Sequence, residues 1–406
     1  MLEIKDFSVS FPTQGINDPF KAVNKISLSI KTGERFALVG ESGSGKTVTA
    51  LSILNLLPNT LTSGQIIWRD RNLLKLPEKE IRLVRGNEIA MIFQEPMSAL
   101  NPLMSIGDQI GEVLDIHEKI SKIDKTIRVL ELLDQTGIDD PNRRIKCFPH
   151  ELSGGQRQRV LIAMALACKP SFLIADEPTT ALDMTVRQQI LNLLFSIQEK
   201  EGMSILLITH DLPLVERFAE TVGVMKNGEI VELGQKETIF NEPQNEYTKK
   251  LLDSRPKPLN AKFIKRDVLV EVRNLSCNYN IGKGLFSNKK FSAVSNENFA
   301  IYKGETLGVV GESGSGKTSL GMALLKLFSG KTAGQIKFNG IDLMKTSTKD
   351  LLGLRKKIQM VFQDPFSSLS PRLTIGQILE EGISLHFPSI NSSDKARMCS
   401  EVMEEV

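Results

Sequence analysis

An eight-residue glycine-rich loop occurs twice in the sequence with identical residues. Gly40–Thr47 reads GESGSGKT, and Gly311–Thr318 repeats it 271 residues later. Each copy fits the pattern G-x-x-x-x-G-K-[ST], in which glycines let backbone N–H groups surround the phosphates of a nucleoside triphosphate. The lysine reaches the β- and γ-phosphates, and the following hydroxyl holds Mg²⁺. The repeat therefore predicts nucleoside triphosphate binding and a chain built by duplication.

The two loops supply most of the predicted phosphate contacts. In the first copy these residues are Gly40, Ser42, Gly43, Gly45, Lys46 and Thr47. In the second copy they are Gly311, Ser313, Gly314, Gly316, Lys317 and Thr318. Thr47 and Thr318 are also the predicted magnesium ligands. Short apolar runs at Glu34–Val39 and Glu305–Val310 precede the loops and have the character of buried strands, and a helical pattern follows each loop.

A pair of acids follows an apolar run in the first repeat. Ser171–Ala175 precedes Asp176 and Glu177, and an acid at the end of a buried strand beside a phosphate loop faces the Mg²⁺. We predict Asp176 as a magnesium ligand and Glu177 as the group that orients or deprotonates the attacking water. Without the loop, the same pattern fits a solvated turn equally well.

The pentapeptide Leu152–Gln156, LSGGQ, opens a predicted helix over Gln156–Ala167. Ser153 suits the N-cap position, and two glycines leave the helix N-terminus open to an anion. Placed between the phosphate loop and the acid pair, this segment resembles the signature of ABC-type ATPases. In that family ATP lies between two units that face head to tail. The resemblance implies that Ser153, Gly154, Gly155 and Gln156 contact a nucleotide held by the opposing unit.

The resemblance also implies roles for residues elsewhere in the chain. Gln94 and Gln363 would be the Q-loop glutamines that approach Mg²⁺, and Asp183 would belong to the D-loop. His210 would be the switch histidine that acts with Glu177. Phe11 and Tyr279 would be the aromatics that stack on adenine. For Phe11 and Tyr279 the alternative is a role in the core, because an aromatic on an early strand commonly packs there.

The implied fold is α/β, a P-loop NTPase of the ABC ATPase type. We expect each unit to have a mixed, mainly parallel sheet with an antiparallel edge, and the first unit to contain a helical insertion, residues 96–167, that carries the signature. A complete first domain is expected over residues 1–253, a linker over 254–267, and a second domain over 268–406 that stops before its own signature and acid pair. The sequence leaves open whether the chain is a fragment, a degraded gene product, or a protein that pairs two first domains in trans.

Three segments, two that follow the Q-loop glutamines and one at the end of the first unit, narrow the resemblance to a subfamily. Glu95–Pro102, Asp364–Arg372 and Glu246–Leu252 look like those of bacterial dipeptide/oligopeptide importer ATPases, most closely the fused ATPase of the microcin C/oligopeptide importer type. This implies an ATPase at the cytoplasmic face of the inner membrane, with two transmembrane permease subunits and a periplasmic or extracellular solute-binding protein as partners. The permease would dock at Gln94–Pro102, for which a surface loop is the alternative. Two other functions stay open: a tandem ABC protein that acts on ribosomes, and an ATP-binding remnant without turnover.

Composition limits the other functional classes that the protein could belong to. The chain has 406 residues, 41% of them hydrophobic, and a formal net charge of +3. The small charge argues against nucleic acid as the main ligand, and no apolar run is long enough to span a bilayer. The four cysteines lie far apart and are expected to be reduced structural thiols rather than metal ligands. Since Asp253–Lys262 contains no cysteine, no iron–sulfur cluster is expected.

Overall fold

The computed structural model describes residues 2–12, 19–94, 99–179, 182–254, 267–280, 290–312, 314–363 and 368–406. The chain divides into two compact units, Met1–Leu259 and Asn260–Val406. Ser313 and parts of three predicted segments lie outside the described residues: Glu95–Pro102, Asp364–Arg372 and the linker.

The first unit contains two sheets. The first is antiparallel, in the order β2-β1-β4-β5, with β1 (Leu2–Phe11), β2 (Phe20–Ile30), β4 (Leu61–Trp68) and β5 (Arg71–Asn72). The second has the order β10-β9-β3-β8-β7-β6, with β3 (Arg35–Val39), β6 (Ile89–Ile92), β7 (Phe172–Asp176), β8 (Ser204–Thr209), β9 (Thr221–Lys226) and β10 (Glu229–Gln235). Its neighbours pair in parallel except β10 with β9. This is the predicted mixed, mainly parallel sheet.

The helices of the first unit follow the same chain order. They are α1 (Lys46–Ile53), α2 (Glu78–Val84), α3 (Ile106–His117), α4 (Lys122–Gln135), α5 (Pro141–Arg144), α6 (Gly154–Leu166), α7 (Met184–Glu201), α8 (Leu212–Phe218), α9 (Lys236–Asn241) and α10 (Glu246–Asp253). Helices α3 to α6 lie between β6 and β7 and form the helical insertion. At the start of α6, Ser153 is the N-cap, as the sequence predicted, and its hydroxyl accepts from the backbone N–H of Gln156.

The five parallel strands of the six-stranded sheet are buried on both faces, which is why they read as mostly apolar runs, whereas the antiparallel edge strand β10 is partly exposed. Alternate residues of β3 enter different cores, because side chains alternate along a strand. Phe36 and Leu38 pack with α1 and the antiparallel sheet, whereas Ala37 and Val39 pack with the helical insertion and α7. The strands therefore hold their carboxyl ends, with Asp176 at the end of β7, in fixed positions.

The second unit contains an antiparallel sheet in the order β12-β11-β13-β14, with β11 (Val268–Asn280), β12 (Lys290–Tyr302), β13 (Lys331–Phe338) and β14 (Ile341–Asp342). Its helices are α11 (Lys317–Leu324), α12 (Thr348–Arg355), α13 (Ile375–His386) and α14 (Ser392–Glu405). A small apolar core that includes Val272, Leu275 and Ile336 lies behind the sheet.

One expected element of the second unit does not form. The run Glu305–Val310 is irregular and exposed rather than a buried strand. Its counterpart β3 pairs with β8 on one side and β9 on the other, and the described part of the second unit has no strands equivalent to these. Without parallel neighbours the run has no ladder to join, so the expectation of a mainly parallel sheet in both units was wrong for the second.

Candidate functional site

The first glycine-rich loop connects β3 to α1 and lies in close contact with the backbone of neighbouring segments. Gly40 has φ +155°, and a Cβ there would lie 2.1 Å from the carbonyl oxygen of Met225. Gly45, at φ +102°, would place a Cβ 2.6 Å from the carbonyl oxygen of Ala22. Only glycine fits these two positions without moving backbone. The loop leaves α1 with an open N-terminus, where backbone N–H groups and the helix dipole favour an anion.

Lys46 is buried and folds back over the loop. Its Nζ donates to the carbonyl oxygens of Gly40 (2.9 Å) and Glu41 (2.7 Å) and to Ser44 Oγ (3.1 Å). Burial lowers the pKa of Lys46, and the carboxylates of Glu177 and Asp176 oppose this shift. The ammonium group is therefore held inside the loop by three neutral oxygen acceptors, which are weaker partners for it than a negatively charged phosphate is.

Asp176 ends β7 with only 1% of its surface exposed. Burial raises the pKa of this carboxyl to about 6, and a hydrogen bond with the Thr47 side chain and the charge of Lys46 act against the rise. Its Oδ1 is buried and has no hydrogen-bond partner among the described residues. A buried carboxylate oxygen without a partner beside a threonine hydroxyl is a donor set that suits a hard cation.

The side chains of two other predicted site residues, Gln94 and His210, meet at Glu177. Gln94 Nε2 donates to Glu177 Oε2 at 2.9 Å, and His210 Nδ1 lies 2.8 Å from Glu177 Oε1. Glu177 itself has φ +45°, and its backbone N–H donates to the carbonyl oxygen of Ile208 at 2.9 Å. The residues come from the loop after β6, the end of β7 and the end of β8, so parallel pairing of these strands brings them together.

A cavity of about 290 Å³ joins these features. Its polar lining includes Lys46, Thr47, Gln94 and Glu177, its apolar lining includes Phe11, Phe20, Ala22 and Val48, and Ser42, Gly43 and Gly45 complete the wall. The cavity therefore combines anion-binding groups with aromatic side chains.

The signature residues lie apart from this cavity. Ser153 and Gly154 are exposed at the start of α6, and none of Leu152–Gln156 lines the cavity among the described residues. Gly155 instead packs against α7, where an added Cβ would lie 2.7 Å from Val186 Cγ1. Asp183 is the N-cap of α7 and accepts from the backbone N–H of Val186 at 2.9 Å.

The second loop repeats the local geometry of the first in a more open setting. Lys317 Nζ donates to the carbonyl oxygens of Gly311 and Glu312, both at 2.7 Å. Thr318 and Gln363 are exposed. The Tyr279 hydroxyl lies 3.3 Å from Ser319 Oγ, one turn into the helix that follows the loop. The described part of this unit brings no acid pair or histidine to the loop.

No helix in the described ranges is both long and apolar enough to cross a membrane.

Comparison with known proteins decides the family. The family model of the ABC transporter matches residues 23–180 and 294–406. The chain belongs to this family. The peptidoglycan transport ATP-binding protein YejF of Agrobacterium fabrum is 47% identical over 413 residues, covering 100% of this chain and 75% of that protein. The glutathione import ATP-binding protein GsiA of Salmonella choleraesuis is 40% identical over 423 residues, covering 95% of this chain and 67% of that protein.

Solved structures agree with this result. The dimeric ATP-binding cassette MJ0796, in a post-hydrolysis state bound to ADP and Pi, superposes with a TM-score of 0.53 and 28% identity, over 58% of this chain and 99% of the cassette. The chain is therefore an ABC ATPase, with the α/β fold and the ATP-hydrolysing activity of this transporter family.

Sequence reasoning missed two residues of this ABC ATPase. Phe20 lines the cavity beside Phe11. The internal repeat could have indicated this residue, since Phe291 follows it at the same 271-residue spacing that separates the two loops. Tyr247 on α10 is buried, and its hydroxyl accepts from the backbone N–H of Glu41 at 3.2 Å. In the sequence, the segment around Tyr247 shows only a resemblance to importer ATPases, because a contact across 206 residues leaves no local pattern.

Proposed function

We propose that the first unit binds ATP with Mg²⁺ and hydrolyses it to drive peptide import through a membrane permease. The observation that carries this proposal is the Glu177 carboxylate, held between Gln94 and His210 at the edge of the cavity that Lys46 and Thr47 line. A fixed carboxylate next to an anion-binding loop is the arrangement required to polarise a water for attack on a phosphoryl group.

The glycine-rich loop supplies the phosphate contacts. Gly40, Ser42, Gly43, Gly45 and Thr47 offer backbone N–H groups around the open N-terminus of α1. Lys46 exchanges its contacts to the Gly40 and Glu41 carbonyls for the β- and γ-phosphate oxygens. In the second unit the same roles fall to Gly311, Ser313, Gly314, Gly316, Lys317 and Thr318, of which Ser313 is outside the described residues.

Thr47 and Asp176 are the residues that would hold Mg²⁺. The unpartnered Asp176 Oδ1 and the neighbouring Thr47 hydroxyl fit this ion, and Gln94 lies at the edge of the same cavity. When bound, Mg²⁺ supplies charge neutralisation of the phosphate oxygens. In the second unit Thr318 and Gln363 would occupy the corresponding positions.

Glu177 accepts a proton from the attacking water in this proposal, and its two neighbours set its position. His210 holds one carboxylate oxygen from β8, and Gln94 holds the other from the loop after β6. The water would approach from the cavity side, where Glu177 is part of the lining. A misplaced carboxylate would lose much of its effect, since proton transfer depends on hydrogen-bond distance.

A second ABC unit is proposed to complete the site. Ser153, Gly154, Gly155 and Gln156 are not part of the cavity lining of their own unit, and the exposed start of α6 is free to contact a γ-phosphate held elsewhere. Asp183 at the start of α7 lies beside this signature. The similar MJ0796 cassette is dimeric, which supports the pairing of two ABC units. We propose the domains at 1–253 and 268–406 with a linker at 254–267; the unit boundary after Leu259 lies within that linker.

An apolar cavity next to the Q-loop is the proposed permease contact. It measures about 300 Å³ and is lined mainly by apolar residues of the segment after α1, β6, the Q-loop and α6, among them Leu54, Leu56, Met91, Phe93, Ala99, Leu161, Met164 and Ala165. Phe93 is 42% exposed. Such a surface suits an amphipathic helix with apolar anchors. Each of two permease subunits would provide one such helix at the cytoplasmic face of the membrane.

The names of the two relatives support a peptide-containing cargo. One is a peptidoglycan transport protein and the other a glutathione import protein; glutathione is itself a small peptide. We propose a dipeptide, an oligopeptide or a microcin C-like peptide as the cargo, delivered by a periplasmic or extracellular solute-binding protein.

The test is the steady-state ATPase activity of the purified chain with and without Glu177→Gln. Magnesium-dependent hydrolysis that the substitution abolishes supports the proposal, and hydrolysis that survives it removes Glu177 from the mechanism. Cosedimentation from native cells tests the partner: recovery with membranes supports a permease, and recovery with ribosomes contradicts it.

A further inference from the structure

Two phenylalanines line the proposed ATP cavity, and one is far more exposed than the other. Phe11 ends β1, Phe20 begins β2, and the two are cross-strand partners. Phe11 is half-buried and packs against the core between the two sheets. Phe20 has 64% of its surface exposed, although both side chains line the same cavity. The more accessible aromatic face therefore belongs to Phe20.

The second unit repeats this arrangement with a different first aromatic. Tyr279 on β11 is the cross-strand partner of Phe291 on β12. The Tyr279 ring lies 4.6 Å from the ring of Phe328, and its hydroxyl contacts Ser319. Phe291 is 50% exposed. In both units, therefore, the aromatic on the first strand packs against its own unit, whereas its cross-strand partner has an exposed ring.

The geometry suits one flat ligand touched by both rings. Directly opposed residues of an antiparallel pair have Cβ atoms about 4.5–5.5 Å apart, so Phe11 and Phe20 reach the same region at the cavity mouth. The same cavity is also lined by Lys46 and Thr47. A molecule with an anionic end and an aromatic end, such as a nucleotide, matches both at once.

We propose that Phe20, and Phe291 in the second unit, form a second contact to the nucleobase, beside the contact expected of Phe11 and Tyr279. This inference rests on the proposed binding of ATP at the glycine-rich loops. Stacking on an aromatic face is tolerant of base identity, because every base has a π-face. Phe20 therefore favours a nucleotide over a bare polyphosphate and discriminates little between ATP and GTP.

The experiment measures equilibrium binding of ATP, GTP and inorganic tripolyphosphate to the full chain in a Lys317→Ala background, which leaves the first loop as the site observed. Phe20→Ala is expected to weaken ATP and GTP binding about tenfold each, the order of one base stacking contact. Tripolyphosphate binding should not change, and Phe20→Tyr should retain the parent affinity for ATP. Phe291→Ala is measured in the same way in a Lys46→Ala background.

Leu61→Ala is the matched control. Leu61 lies on β4 of the same sheet and is 60% exposed, but it does not line the cavity, so its removal should leave ATP binding unchanged. Equal loss of ATP and tripolyphosphate affinity in Phe20→Ala, or no loss at all, overturns the inference. The proposed function has a separate test, because a Lys46→Ala, Lys317→Ala chain that binds ATP like the parent would overturn the loop assignment itself.

Discussion

His210 Nδ1 lies 2.8 Å from the Oε1 atom of Glu177, across the carboxyl ends of two neighbouring parallel strands. Gln94 donates to the other oxygen of the same carboxylate at 2.9 Å. Glu177 is thus held from both sides by residues that lie 33 and 83 positions away in the sequence. Its position depends on the order of strands in the sheet, and this dependence makes the cluster testable one residue at a time.

Removing the proton acceptor should stop turnover without preventing ATP binding. Glu177→Gln keeps the size of the side chain and its contact with Gln94, but it cannot take a proton from water. We expect kcat to fall by about 10²–10⁴-fold, the usual contribution of a general base, with ATP affinity near that of the parent. Steady-state ATPase assays and equilibrium ATP binding measure the two effects.

His210→Ala should lower kcat more than it raises KM, because His210 positions Glu177 and does not line the phosphate end of the cavity. His386→Ala is the matched control. That histidine ends α13 of the second unit, and its loss should leave kcat unchanged. A rise in KM without loss of kcat in His210→Ala would contradict the positioning role.

Tyr247 links the end of the first unit to the start of the glycine-rich loop. Its hydroxyl accepts from the Glu41 N–H at 3.2 Å, and Lys226 Nζ lies 4.5 Å from the centre of its ring. Tyr247→Phe keeps the ring and removes only the hydroxyl. The loss of one hydrogen bond of about 1 kcal/mol should weaken ATP binding about fivefold. Tyr302→Phe in the second unit is the control, measured by the same binding titration.

Asp176 should make the metal-free protein less stable as the pH rises. Because burial raises the pKa of this carboxyl from 3.8 to about 6, the folded state holds the proton more tightly than the unfolded state. That stability is present below pH 3.8 and is lost as the pH rises through 6. Asp176→Asn cannot ionise, so it should stabilise the first unit at pH 8 by up to about 3 kcal/mol.

The single tryptophan of the chain, Trp68, lies in the first unit and reports its unfolding by fluorescence. Denaturation is measured in EDTA at pH 5 and pH 8. A stabilisation by Asp176→Asn that is equally large at both values would show that the effect does not come from ionisation.

The sequence predicted the parts of the site whose chemistry lies in contiguous residues. The glycine-rich loop, the acid pair after β7 and the N-cap of α6 each depend on backbone geometry within a few positions, so residue type and spacing were enough. The contact between Glu41 and Tyr247 and the exposure of Phe20 depend on how distant segments pack, and no local pattern encodes either. For Glu305–Val310 the local pattern predicted an element that the structure does not form. Its apolar pattern matches a strand, but a central parallel strand forms only when its neighbours are present.

Gly155 should matter for stability as well as for its proposed contact with a phosphate. Glycine to alanine within a helix normally stabilises by about 1 kcal/mol, yet here the new Cβ would lie 2.7 Å from Val186 Cγ1. We expect Gly155→Ala to destabilise the first unit by about 1–3 kcal/mol through overpacking, and Val186→Ala to restore part of this loss in the double variant. Gly154→Ala is the control, since its Cβ meets nothing closer than Leu182 Cδ2 at 3.9 Å. Trp68 fluorescence during urea denaturation measures all four chains. If Gly154→Ala and Gly155→Ala are equally stable, the packing of α6 against α7 does not require glycine at position 155.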